Sequence, residues 1–141
     1  MRLTHLADYA VVMMTAAARR ECASVPAGGG SRLSAAELSG ETGVPLPTAQ
    51  KLMGKLAQAG WLTSVRGFGG GFTLARGITD ISLADIVEAV EGPIAMTQCS
   101  GSDEASDCAL DAHCRVKPHM GLVGQKVRGA LHAVSLQDLA Q

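Results

Sequence analysis

Between Ser34 and Leu74 the chain reads SAAELSGETGVPLPTAQKLMGKLAQAGWLTSVRGFGGGFTL, and the order of starts and stops in this stretch leaves few folds open. Ser34 and Glu37 stand in the relation of a capping box, in which hydroxyl and carboxylate satisfy each other's free backbone N–H groups and fix the start of a short helix. That helix is predicted to end near Thr42–Gly43, because glycine suits the left-handed residue that follows a last turn. Val44-Pro-Leu-Pro-Thr48 opens a second helix, since proline in a first turn gives up an N–H that has no partner there. Ala49, Leu52, Met53 and Leu56 fall on one face of it, and Gln50, Lys51, Lys55 and Gln58 on others. Gly60–Val65 and Phe72–Ala75 are strand-like runs on either side of Arg66-Gly-Phe-Gly-Gly-Gly71.

Two short helices about a glycine turn, followed at once by a hairpin, predict a winged helix-turn-helix. Taken separately, the helices also read as a plain helical hairpin and the glycine loop as a plain turn. In a wing, glycines permit positive φ and close approach to a phosphate backbone. Arg66 at the base of the loop can enter a minor groove, where the negative potential favours a guanidinium. A nucleotide cradle is excluded, because RGFGGGF lacks the Gly-Lys-Ser/Thr ending and does not run from a strand into a helix.

Around this module the pattern is helical. Leu3, Leu6, Ala7, Ala10, Val11, Met14 and Ala17 recur at helical spacing behind Thr4, a candidate cap. Ser24–Ser31 is a linker of glycines, serine and proline. Ser82-Leu-Ala-Asp85 repeats the capping-box signal and leads into a helix that Gly92-Pro93 stops; Leu83, Ile86, Val87 and Val90 are expected to pack beneath the winged domain. Val116, Met120, Val123, Val127, Ala130 and Val134 alternate spacings of four and three, a short coiled-coil-like seam. Pro118 sets the start of that helix near Arg115–Lys117, and Gly121, Gly124 and Gly129 each weaken it by about 1 kcal/mol relative to Ala. Close packing on another helix explains such a sequence better than isolated stability. A plain alternative is packing on its own domain; a two-fold dimer is preferred, because helix-turn-helix proteins read paired half-sites.

Composition narrows the setting. The 141 residues suffice for one ordinary core, and 3% aromatic content makes it a core of aliphatic side chains, Ala and Met. No apolar run reaches the roughly 18 to 20 residues of a membrane span. Arg2, His5 and Asp8 interrupt the N-terminal stripe, which argues against a signal peptide. A cytoplasmic, reducing setting is therefore expected. The net charge of −1 hides an asymmetry: residues 1–76 hold eight Lys/Arg against four Asp/Glu, and residues 77–141 hold four against nine. A basic front half can face a polyanion, and an acidic rear is repelled by one.

The cysteines supply the second constraint. Cys99, Cys108 and Cys114 lie within sixteen residues, in a segment rich in carboxylates. In a reducing compartment such clustering points to metal or redox chemistry ahead of structural disulfides. Zinc usually takes paired, shorter spacings, and a thiol switch needs only two of the three. Asp103, Glu104, Asp107 and Asp111 raise neighbouring thiol pKa values by like-charge repulsion, which bound iron would offset. Cys22, at the end of the first helix, is expected to be buried or half-buried and without a role. No nucleophile–base–orienter set is present, so an enzyme and a small-molecule substrate are not expected.

LTHLADYAVV, LPTAQKLMGKLAQAGWLTSVRGFGGGFTLAR, ISLADIVEAVEGPIAMTQC and the two later cysteines together resemble the BadM/IscR-type winged-helix regulators, nearest to those of the Suf iron–sulfur assembly system. The resemblance runs from Met1 to about Leu139. It implies a mainly α fold with a small β-hairpin wing, divided into a DNA-binding domain over 1–92, a cysteine-bearing loop over 93–114, and a dimerisation helix with a C-terminal tail over 115–141. It implies a homodimeric repressor of iron–sulfur assembly genes that binds a double-stranded DNA operator, with no membrane partner.

Carried across by position, the cluster cysteines are Cys99, Cys108 and Cys114, the groove-reading residues are Pro47, Thr48, Gln50 and Lys51, and the wing arginine is Arg66. Gln50 can bridge an adenine edge and Lys51 a guanine, while Lys55 meets phosphate and Arg66 and the wing amides of Gly69 and Gly70 hold the flanking backbone and minor groove. The implied cofactor is a [2Fe-2S] cluster, with zinc or no metal as alternatives. Such clusters usually take four ligands; Asp8, donated by the other subunit, ranks first for the fourth place, His119 second and His113 third. Two departures stand out. Better-known members separate the first two cysteines by fewer residues than the eight found here, and the histidine that one branch uses three positions after the third cysteine is Lys117. Sensors of nitric oxide, iron or thiol oxidation share the fold, and a zinc-stabilised protein-binding module is the reading outside it.

Overall fold

The computed structural model describes residues 2–24, 31–100 and 108–141. Most of the expected linker, and Gly101–Asp107 of the cysteine segment, lie outside the described residues. Among those described there are six α-helices and one two-stranded sheet.

Helix α1 (His5–Ala23) runs through the middle of the molecule. The Thr4 hydroxyl caps it by accepting from the Ala7 N–H at 3.2 Å. Ala7, Ala10, Met13, Met14 and Ala17 are buried along it, and this small-residue face lets α2, α3, α4 and α6 all pack closely. Helix α2 (Ala35–Thr42) starts on the reciprocal Ser34–Glu37 box and ends at Gly43, whose φ of 81° is the left-handed stop. Helix α3 (Leu46–Gln58) carries Pro47 in its first turn and buries Ala49, Leu52, Met53 and Leu56, as its periodicity requires. With Met13, Met14, Leu33, Leu38, Ile81 and Ile86 these form a core of aliphatic and thioether side chains.

Strands β1 (Leu62–Val65) and β2 (Gly71–Leu74) pair antiparallel, Leu62 opposite Leu74 and Val65 opposite Gly71. A third segment adds to the sheet's edge: Leu33 and Phe72 exchange both backbone hydrogen bonds, each at 2.7 Å. The residues before α2 thereby brace the wing, which no local pattern in the sequence announced.

Helix α4 (Leu83–Glu91) begins on the Ser82–Asp85 box and stops at Gly92. Its buried positions are Ala84, Ile86, Val87 and Val90; Leu83, expected inside, is half-buried, because in the first turn it points past the core while Ala84 faces it. Helix α5 (Lys117–His132) starts with Pro118 in its first turn and buries only Gly124. Its seam ends short of Val134, which lies beyond the helix and whose carbonyl accepts from the Leu83 N–H at 2.8 Å. The chain then turns back. Ser135 and Asp138 make another capping box, α6 (Leu136–Ala140) packs on α1, and Leu136 is fully buried. Residues read as tail are thus part of the core.

Candidate nucleic-acid interface and thiol segment

The presented face of α3 follows from its buried one. With Ala49, Leu52, Met53 and Leu56 turned inward, Pro47, Gln50 and Lys51 are exposed and Thr48 is half-buried. No acidic residue lies in the helix, and the turn before it is held by Ser39 and Thr42, whose hydroxyls donate to the Val44 and Leu38 carbonyls, each at 2.6 Å. This exposed first half joins an amide able to donate and accept with an ammonium, the pair of groups that reads base edges in a major groove. Lys55 is placed differently. It is half-buried, and its Nζ donates to the Val90 carbonyl at 3.2 Å, so in this conformation the ammonium closes the C-terminus of α4, where a cation is favoured.

The wing is a hydrogen-bonded loop on a three-segment base. Arg66, Gly69 and Gly70 are exposed. Gly67 and Gly69 have φ of 101° and 73°, and the Gly70 N–H donates to the Gly67 carbonyl at 2.9 Å. A Cβ at Gly70 would stand 2.6 Å from the Val65 carbonyl oxygen, and one at Gly71 equally close to that of Leu33. Glycine is needed there for room. Arg32, absent from the sequence-derived set, donates from its guanidinium to the Gly69 carbonyl at 2.6 Å and is exposed beside the wing. Thirty-seven residues separate the two; only the Leu33–Phe72 pairing brings them together.

The three thiols are free and half-buried. Cys99 sits in a single 3-10 turn, Gln98–Ser100, that packs on α5, and its Sγ is 3.2 Å from the Thr97 hydroxyl. Ser100 is tied back, its N–H and hydroxyl donating to the Thr97 carbonyl. Cys114 follows a second 3-10 turn, Asp111–His113, and lies three positions before Lys117. Lys117 pairs with Asp111; that hydrogen bond raises the ammonium's pKa, and the charges of Cys99 and Cys108 push it the same way. Cys99 and Cys108 are thus close enough to act on Lys117, which is held as a cation by Asp111, while Cys114 precedes it by three positions in the chain.

Asp8, in the first turn of α1, and His113 and His119 are all exposed. Among the described residues no group of three or more His, Cys, Asp or Glu side chains is drawn together at metal-holding distance. The donor chemistry fits an iron–sulfur group, three thiols being the main ligand type it takes; Asp103, Glu104 and Asp107 lie outside the described residues. Cys22 is exposed, against the expectation of burial, because α1 continues to Ala23 and its last turn extends past the core. No described helix is long and apolar enough to cross a membrane.

Comparison with known proteins gives a consistent result. Residues 3–141 match the family model described as Rrf2, iron-dependent transcriptional regulator. The chain is 29% identical over 140 residues to the HTH-type transcriptional regulator IscR of Photobacterium profundum, covering 99% of this chain and 75% of that protein. It is 28% identical to IscR of Escherichia coli O1:K1 / APEC, covering 99% and 80%. Among solved structures, CymR, the global cysteine regulator of B. subtilis, superposes with a TM-score of 0.69 at 22% identity over 99% of this chain and 96% of that one. T. potens IscR superposes with a TM-score of 0.68 at 24% identity over 99% and 85%. These likenesses establish the winged-helix fold. The relatives are transcriptional regulators, not enzymes. With its family model spanning nearly every residue, the chain belongs to the Rrf2 family of iron-dependent transcriptional regulators.

Proposed function

We propose that the chain is a cytoplasmic, homodimeric repressor of iron–sulfur assembly genes whose grip on its DNA operator depends on a [2Fe-2S] cluster. The observation that carries this reading is that three free, half-buried thiols, Cys99, Cys108 and Cys114, occupy the segment leading into α5 in the same chain as a winged helix-turn-helix. On this reading Pro47, Thr48, Gln50 and Lys51 enter the major groove, and Arg66, Gly69 and Gly70 meet the flanking backbone. Lys55 contacts phosphate only if it leaves Val90. Dimerisation is supported by α5, which buries little in its own chain while Val116, Leu122 and Val123 stand exposed. Two-fold pairing through α5 would space the two reading helices for successive half-sites.

The three cysteines would hold the cluster, with Asp8 of the second subunit, His119 or His113 as fourth ligand. When bound, a cluster would supply a reversible, oxidant-sensitive tie between the thiol segment and the element that donates the fourth ligand. DNA affinity changes only insofar as the cluster favours one arrangement of the reading heads over another. A second reading, a thiol-redox switch, is supported by the free, half-buried thiols.

Protein purified anaerobically should show visible charge-transfer absorption and contain equimolar iron and acid-labile sulfide, both lost when Cys99, Cys108 and Cys114 are changed to serine. A colourless protein with zinc, or an operator affinity indifferent to the triple change, would overturn the cluster reading.

A further inference from the structure

Phe68 stands at the tip of the wing with its ring entirely in solvent, at 110% of reference exposure, the most exposed large apolar side chain among the described residues. It is carried on a stiff support. Gly67 and Gly69 on either side hold positive φ, the Gly70 N–H closes the turn onto Gly67, and Arg32 ties the Gly69 carbonyl to the sheet edge. The flanking polar groups are the exposed guanidiniums of Arg66 and Arg32. One of the chain's two phenylalanines thus stands at a solvent-facing point on a hydrogen-bonded turn, near two exposed arginines in the chain and at the sheet edge. Nothing in the fold needs the ring there, since it packs on no described core residue.

An apolar side chain held between arginines at a narrow projection has the make-up of a minor-groove wedge, which enters between two base pairs and bends the duplex away from itself. We infer that Phe68 inserts at a base step in the minor groove flanking each half-site, while Arg66 and Arg32 hold the phosphates and groove floor beside it. The step entered is a pyrimidine–purine one, because such steps unstack most readily. Phe68 is then a determinant of sequence preference at positions α3 never touches. This rests on the DNA-binding reading above.

The test uses full-length protein and a duplex that the wild-type chain selects from a randomised pool. With 2-aminopurine at the flanking step, wild-type binding should raise its fluorescence, and gel mobility with the site permuted should report a bend of about 20° or more. Phe68→Ala and Phe68→Ser should abolish the fluorescence rise, reduce the bend and weaken binding about tenfold, whereas Phe68→Leu, which keeps an apolar wedge, should retain most of both. Thermal melting should be the same for all four proteins. Equal fluorescence, bend and affinity for Phe68→Ala would overturn the inference and leave the DNA-binding reading intact, with the ring then free to serve a protein partner. Failure of the wild-type chain to select any duplex would overturn both.

Discussion

Arg32 and Gly69 are joined by a guanidinium-to-carbonyl hydrogen bond of 2.6 Å that fastens the wing tip to the segment preceding α2. Because that segment also pairs with Phe72, the wing is oriented by the helix-turn-helix instead of swinging from β1 and β2 alone. Removing the guanidinium should loosen the tip without touching the core. Arg32→Ala is expected to melt within a degree or two of wild type and to bind operator DNA about threefold to tenfold more weakly, the range of one exposed hydrogen bond. Anisotropy titration with a labelled duplex checks this; an unaltered affinity removes Arg32 from the interface.

Gly70 and Gly71 are the tightest positions in the wing. Gly70→Ala places a Cβ against the Val65 and Gly67 carbonyl oxygens, backbone atoms that cannot step aside singly. Destabilisation of about 1 to 3 kcal/mol is expected, as for other forced overpacking. Urea denaturation measures it, and a loss well under 1 kcal/mol would mean the loop relaxes freely.

The cap at the head of α2 links stability to pH. Hydrogen bonds from the Ser34 backbone and hydroxyl, with Arg20 adding to them, hold the Glu37 carboxyl below the usual glutamate range. A carboxylate depressed in the folded state stabilises above its unfolded pKa, and that stabilisation is lost as pH falls through the folded value. Stability should therefore drop between about pH 5 and pH 3, by an increment that Ser34→Ala reduces. At neutral pH the same substitution should cost about 1 kcal/mol, the usual worth of a helix cap. Parallel urea curves at the two pH values decide it; identical pH slopes for both proteins would count against the cap.

Leu122 and Val123 project from α5 into solvent within one chain. On the dimer proposed above, changing both to Asp should give a monomer in sedimentation velocity while helical circular dichroism persists, since neither residue is buried in the single chain. A variant that still sediments as a dimer would place the two-fold contact elsewhere.

Leu136 is buried completely under α1 although it lies within the last six residues. Leu136→Ala is expected to cost about 2 to 5 kcal/mol, the range for emptying a core leucine site. A cost under 1 kcal/mol in thermal or urea unfolding would show that α6 is dispensable.

What could be read in advance was what short-range chemistry fixes. Capping boxes at Ser34 and Ser82, the left-handed Gly43, Pro47 in a first turn and the inward face of α3 are each settled by neighbours within about four residues, so their consequences are local and legible. The same locality exposed the wing glycines as a hairpin and Gln50 and Lys51 as a presented face. It failed where the outcome depended on distant partners. The inward turn of Ala84 in place of Leu83, the exposure of Cys22 and the capture of Lys55 by Val90 depend on how α1, α3 and α4 are stacked.

By itself, then, the sequence determined the winged-helix order of elements and the three thiols, because backbone capping, helical periodicity and residue identity need no tertiary context. Only the tertiary structure decided that Arg32 belongs to the wing and that the C-terminal residues complete the core. Those are contacts between segments remote along the chain, and their partners are chosen by packing and by the pairing of otherwise unsatisfied backbone groups.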